Sequence, residues 1–328
     1  MQTIREVRIP SNPQVRIAVL LAILGQAAPA QSPFPAPGRF ADLGGHRLHV
    51  WCTGKGSPIV IVENGLGDFS FDWILVQQRV ARFARICTYD RAGYAWSEPG
   101  PKPRTFDQLN LELHEALRRL GERGPFVLVG HSFGGGVVRN YASVYPDEVA
   151  GMVLVDIVPE DQRIPMGPHV ARIRDFATGR AIPKPRDNLL PSDRTTPPPT
   201  AALTAEIEPP YDRLPEREQK LHLWAASLPA LDDAENSQKD WSSEYMARMH
   251  ATPQDGILGT KPLVVLTRTR GYDDPELEAE RQTRQAQLVR LSRQSKQILV
   301  PGGHNMHLET PDAVADAIRI VIELTRLH

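Results

Sequence analysis

Gly130-His131-Ser132-Phe133-Gly134 sets a serine between two glycines, each two residues away. The apolar run Phe126-Val127-Leu128-Val129 leads into it, and Gly134, Gly135 and Gly136 open a helical pattern after it. A serine so framed sits on a sharp strand-to-helix turn. Bulky side chains beside such a turn would clash, which is why small residues flank it. A serine hydroxyl is a weak nucleophile until a base takes its proton. The candidate base is His304, in Pro301-Gly302-Gly303-His304-Asn305-Met306-His307. That stretch follows the last predicted strand and precedes the last predicted helix. From there a histidine reaches back over the carboxyl edge of a sheet. His307 is the weaker competitor, better read as packing or surface. His131 adjoins the serine and is poorly placed to accept its proton.

The base needs a third group to orient it. Asp156 directly follows the strand after the elbow helix, so its position is well determined. Asp273 and Asp274 lie several residues beyond the next strand and are the alternative acid. Asp274 followed by Pro275 also reads as a helix N-cap. Acyl transfer further needs donors for a developing oxyanion. The backbone amide of Phe133, just after the nucleophile, is one. The amide of Leu66 is nominated as the other, in the glycine loop Glu63-Asn64-Gly65-Leu66-Gly67-Asp68.

These residues require a scaffold that alternates strands and helices. Arg39 to Leu43 and His46 to Cys52 read as a hairpin around Gly44-Gly45. Pro58 to Val62, Arg85 to Tyr89, the elbow strand, Met152 to Val155, Leu263 to Leu266 and Gln297 to Val300 read as strands, with Pro58 to Val62 and the elbow strand of the buried kind. Helical spacing covers Phe71 to Phe83, a stretch capped by Thr105 or Asp107, the elbow helix to about Tyr145, Pro275 to Arg293, and Pro311 to Leu327. The alternation predicts an α/β fold with a mostly parallel sheet covered on both faces. It breaks between roughly 158 and 260, a proline- and charge-rich stretch. Short helical patterns appear there around Pro168–Thr178, Glu216–Ser227 and Gln238–His250.

The chain has 328 residues and a formal net charge of -1. No basic surplus argues for nucleic acid, and no acidic surplus argues for a cationic partner. Arg5, Arg8 and Arg16, the apolar run Ile17 to Leu24, and Ala28-Pro29-Ala30 predict a signal peptide over 1–30. The run is too short for an ordinary transmembrane helix, so no stable membrane anchor is expected. A secreted or periplasmic location follows. Gln31 to Gly38 reads as a linker. Export would put Cys52 and Cys87 in a compartment where pairing is permitted; two buried free thiols are the other reading.

Taken together, Glu63-Asn64-Gly65-Leu66-Gly67, Tyr89-Asp90-Arg91-Ala92-Gly93-Tyr94 with Ser97, Gly130 to Gly135, and Gly303-His304 resemble the α/β-hydrolase superfamily, more narrowly its bacterial exported, esterase-like members. The resemblance implies an α/β-hydrolase core over 31–157 and 261–328, with a helical cap inserted over 158–260. It implies that the second and fourth strands are neighbours, which would make a Cys52–Cys87 disulfide natural. It makes Trp224, Leu228, Trp241, Tyr245 and Met249 candidates for the inner face of the cap or for its own core. Gly151 to Asp156 looks like the strand that carries the acid in haloalkane dehalogenases, which favours Asp156. Those enzymes and the epoxide hydrolases use an aspartate nucleophile, where this chain has Ser132. Two departures stand out. Asn64-Gly65 replaces the His-Gly that opens the oxyanion loop of many relatives, and Thr269 and Arg270 stretch the usual Gly-x-x-Asp acid loop.

The expectation is a serine hydrolase acting on a small-molecule carboxylic ester through Ser132, His304 and Asp156. It needs no metal and no organic cofactor. A lactonase, an amidase, a carbon–carbon bond hydrolase, or a non-catalytic ligand-binding member of the fold are the alternatives.

Overall fold

The computed structural model describes residues 35–186 and 206–327. The predicted signal peptide over 1–30 lies outside the described residues.

Eight strands form one sheet: β1 (Arg39–Asp42), β2 (Arg47–Thr53), β3 (Ile59–Glu63), β4 (Ile86–Tyr89), β5 (Phe126–His131), β6 (Val149–Val155), β9 (Leu263–Arg268) and β10 (Ser295–Val300). Their order across the sheet is β1-β2-β4-β3-β5-β6-β9-β10. The β1–β2 and β2–β4 pairs are antiparallel, and every other pair is parallel. In the β2–β4 register Cys52 faces Cys87. The two are joined by a disulfide, with Cα atoms 4.0 Å apart.

The central strands carry nearly unbroken apolar runs because both faces of the sheet are covered. Side chains alternate between those faces. Ile59, Ile61, Phe126, Leu128, Met152, Leu154, Leu263 and Val265 enter one core. Val60, Val62, Val127, Val129, Val153, Val155, Val264 and Leu266 enter the other. Helices α2 (Phe106–Leu120) and α3 (Phe133–Val144) close the first face with Leu113, Leu117, Val138 and Tyr141. Helices α1 (Ile74–Val80) and α8 (Pro311–Thr325) close the second with Val76, Val80, Val314, Ile318 and Val321. Thr105, rather than Asp107, caps α2: its side chain accepts from the amide of Gln108 at 3.1 Å.

The stretch between β6 and β9 differs from its predicted pattern at one end. Residues around Pro168–Thr178 are not helical. Arg163–Met166 and His169–Arg172 form a hairpin, β7–β8, followed by a short 3-10 turn over Ile173–Phe176. Gly167, at φ 63°, turns the chain between the two short strands. Further on, α4 (Glu216–Ala226) matches its predicted span, and α5 (Pro229–Ala251) contains the predicted Gln238–His250 stretch but starts earlier, at Pro229. Trp224 and Leu228 pack with Phe69, Phe71 and Tyr94 of the core. Tyr245 and Met249 pack with Phe106 and Phe133. Trp241 instead lies under the guanidinium of Arg180 at 3.8 Å. No helix among the described residues is long and apolar enough to cross a membrane.

Candidate functional site

Ser132 directly follows β5, Asp156 directly follows β6, and His304 lies on the loop between β10 and α7 (Met306–Glu309). All three strands are parallel, so their carboxyl ends share one edge of the sheet, where ligands gather in such folds. Ser132 has φ 50° and ψ -118°, a conformation that costs a non-glycine residue about 1–3 kcal/mol. Its amide donates to the Val155 carbonyl at 3.2 Å and its own carbonyl accepts from Gly135 at 3.1 Å, which holds the turn. The two glycines are there for close approach. A Cβ on Gly130 would lie 2.8 Å from the Gly134 carbonyl oxygen, and one on Gly134 would lie 2.3 Å from that of Glu63.

The structure brings Ser132, His304 and Asp156 into one chain. Ser132 Oγ lies 2.9 Å from His304 Nε2, and His304 Nδ1 lies 2.6 Å from Asp156 Oδ2. The carboxylate accepts, so Nδ1 carries the proton and Nε2 is left to accept from the serine. Asp273 and Asp274 are not brought to His304. Asp274 caps α6 (Pro275–Gln287), accepting from the amides of Glu276 and Leu277 at 2.9 and 3.0 Å, and Asp273 is exposed beside it. Phe133 opens α3, so its amide has no partner within the helix and lies at the positive end of the helix dipole. Leu66 lies in the turn that follows β3.

Two arginines crowd the acid, and neither was foreseen from sequence. Arg268 Nη1 lies 2.6 Å from Asp156 Oδ2 and 3.0 Å from His304 Nδ1. Two donors, one from Arg268 and one from His304, thus converge on one carboxylate oxygen. Arg281 Nη1 reaches Asp156 Oδ1 at 3.4 Å and is itself held by Glu278. Burial would raise the Asp156 pKa, but the His304 bond and the two guanidinium charges outweigh it and hold the carboxyl below its ordinary range. Burial lowers the His304 pKa below its ordinary value of 6.5; Asp156 opposes this, and the charges of His131 and Arg268 add to it.

The loop after β3 has its own support. Arg91 donates to the carbonyls of Asn64 at 2.9 Å and Gly65 at 2.6 Å, and to the Glu63 carboxylate at 2.8 Å. Tyr89 donates to the same carboxylate. Burial raises the Glu63 pKa, and Arg91 and Tyr89 pull it back. The Asn64 side chain donates to the Tyr89 carbonyl at 2.9 Å, so it braces β4. The Tyr89-Asp90-Arg91 motif was the only sequence signal for this clamp, and nothing local revealed what the arginine would hold.

His131 and His307 lie behind His304. His131 meets Asp68 Oδ2 and the His304 carbonyl, each at 3.1 Å. His307 stacks flat on Trp73 with centroids 4.8 Å apart, and neither of its ring nitrogens has a hydrogen-bond partner. Burial pushes its pKa down to about 3. Asp68, His131 and His307 offer ligand-type atoms within 4.8 Å of one another. Asp68 and His131 already bond each other, and a metal ion would have to break that pair.

A family model described as the alpha/beta hydrolase family matches residues 59–317. The chain belongs to the alpha/beta hydrolase family. Lipase LipV of Mycobacterium tuberculosis is 30% identical over 195 residues, covering 56% of this chain and 68% of that protein. Other curated relatives are matched over less of their length: the chain spans 18% of the probable transporter efuK of Hormonema carpetanum, at 32% identity over 127 residues. Among solved structures, a thermophilic esterase from Thermogutta terrifontis superposes with a TM-score of 0.59 at 21% identity, over 85% of this chain and 94% of that one. That likeness concerns the fold.

Proposed function

We propose that this chain is a serine hydrolase that cleaves a carboxylic ester through an acyl-enzyme. The observation that carries the reading is the unbroken path from Ser132 Oγ through His304 to Asp156, at 2.9 and 2.6 Å. Ser132 attacks the ester carbonyl while His304 Nε2 takes its proton. Asp156 holds the ring and stabilises its cationic form. The amides of Phe133 and Leu66 receive the oxyanion. His304 then gives the proton to the departing alcohol. Water enters, loses a proton to the same nitrogen, and frees the acid. The lowered pKa of His304 suits this role, because the base must be neutral to accept a proton.

In this reading residues 158–260 form a cap over the site, supported by the packing of Tyr245 and Met249 against Phe133. Export to an oxidising compartment is supported by the charge pattern of residues 1–30 and by the Cys52–Cys87 disulfide.

The test is covalent labelling by a fluorophosphonate together with turnover of p-nitrophenyl esters of graded acyl length. The expected outcome is one label on Ser132, and neither label nor turnover in a folded Ser132→Ala protein. Turnover retained by Ser132→Ala would sink the assignment. Asp273→Asn is expected to behave as the unaltered protein does.

A further inference from the structure

A buried run of hydrogen bonds leads from the stretch between β6 and β9 to the backbone of His304. Tyr211 donates from its hydroxyl to Asp68 Oδ1 at 2.6 Å. Asp68 Oδ2 lies 3.1 Å from His131 Nδ1, and His131 Nε2 lies 3.1 Å from the His304 carbonyl. Asp68 and His131 are buried, at 2% and 1% exposure. His131 therefore stands between two acceptors, a carboxylate and a carbonyl. One ring nitrogen faces each of them.

The pair also touches the other catalytic loop. A Cβ on Gly65 would lie 2.5 Å from Asp68 Oδ2 and 2.8 Å from His131 Nδ1. The glycine that opens the oxyanion loop thus rests directly on this pair, while the pair's far end grips the carbonyl of the base. The His131 and His304 rings are 4.8 Å apart. Trp73 closes the site edge-on against His131 at 6.2 Å. Tyr211 stacks on His222 at 4.0 Å, and His222 bonds Asp72 at 3.0 Å, so the outer end of the run is anchored twice.

We propose that Asp68 and His131 are a positioning pair that fixes the His304 loop against the oxyanion loop, and that Tyr211 makes this alignment depend on the docking of the 206–260 stretch. The proposal rests on the serine-hydrolase reading. His131 never meets the substrate; it acts through the backbone of His304. Small displacements of a base cost much, and misplacement by about 1 Å can slow a reaction a hundredfold.

The two side-chain amides separate the two ends of His131. His131→Gln keeps a donor near the Nε2 position, toward the His304 carbonyl. His131→Asn keeps one near Nδ1, toward Asp68, and loses the carbonyl. The readouts are the rate of Ser132 labelling by a fluorophosphonate, kcat and KM on p-nitrophenyl acetate, and the melting temperature of each variant. Tyr211→Phe is expected to lower kcat and the labelling rate by about tenfold with KM little changed. His131→Asn is expected to be slower than His131→Gln. In the His131→Asn background, Tyr211→Phe is expected to add nothing, because the run is already cut. Independent, multiplying effects of the two substitutions would overturn the coupling, as would an unchanged labelling rate in folded Tyr211→Phe. If the unaltered protein itself takes no label, the serine-hydrolase reading fails and this proposal fails with it; labelled protein with indifferent variants fails the proposal alone.

Discussion

His304 is held by two carboxylate clusters of opposite character. On one side Asp156 bonds the ring at 2.6 Å and is flanked by Arg268 and Arg281. On the other, Asp68 bonds His131, which bonds the His304 backbone. The first cluster acts on the imidazole itself, through the proton at Nδ1. The second acts on the loop that carries it. Both carboxylates are buried, and burial alone would raise the pKa of either. In both, hydrogen bonds and neighbouring positive charge reverse that effect. What separates them is the atom each one grips, so the same residue type serves orientation in one place and loop geometry in the other.

The largest expected difference comes from amide substitution of each acid. Asp156→Asn leaves a shape that fits but spoils the tautomer of His304, and is expected to lower kcat by about ten-thousandfold. Asp68→Asn changes only the loop and is expected to cost about ten- to a hundredfold. Steady-state rates on one p-nitrophenyl ester decide it, and equal losses would erase the distinction between the clusters.

Next in size is the effect of Arg268. Its charge disfavours the protonated form of His304. In the proposed reaction the base works only when neutral, so activity is expected to fall as pH drops through the His304 pKa, which lies below 6.5. Arg268→Met removes a charge that lowers this pKa. The acid limb of kcat/KM against pH is therefore expected to move to higher pH, and an unmoved or lowered limb would show that Arg268 does not tune the ring.

The last effect concerns stability. His307 is fully buried beside Asp68 and His131, and its pKa is pushed down to about 3. Unfolding restores an ordinary value near 6.5, so the unfolded chain binds a proton that the folded chain refuses. Stability is fully present above 6.5 and is lost as pH falls from there towards 3, by at most about 1.4 kcal/mol per pH unit. His307→Phe removes that proton and is expected to flatten the decline. Urea unfolding at pH 7 and pH 4.5 reads the difference.

The same contrast separates what the chain reveals locally from what it does not. The elbow was legible because its strand, strained serine and close-packed glycines are contiguous. His304 was legible because a glycine loop between the last strand and last helix has one place to go. The helical spacing of α4 and α5 was legible too, whereas the Pro168–Thr178 stretch was misread as helix where the chain forms a hairpin and a 3-10 turn. Its few apolar residues fit either period, and the turn at Gly167 decided the matter.

The choice between Asp156 and the Asp273/Asp274 pair stayed open in the sequence, since each follows a strand. The β5–β6 pairing sets His131 opposite Val155, which carries Ser132 and Asp156 side by side onto one edge. The capping bonds of Asp274 turn it away from that edge. Arg268 and Arg281 carried no local signal at all. One ends β9 and the other sits inside α6; the β6–β9 pairing brings Arg268 beside Asp156, and α6 brings Arg281, which donates to the Arg268 carbonyl at 2.9 Å.

From its residues alone this chain determines an α/β sheet, a serine on a strained turn, and a histidine loop able to reach it. These follow from side-chain periodicity and backbone sterics, which act over a few residues. Tertiary structure decided which carboxylate holds the histidine, which arginines press on that carboxylate, and which buried pair braces the loop behind it. Those outcomes depend on strand order and register. They bring together groups as far apart in sequence as Asp68 and Tyr211, or Ser132 and His304, at distances where hydrogen bonds and charges act.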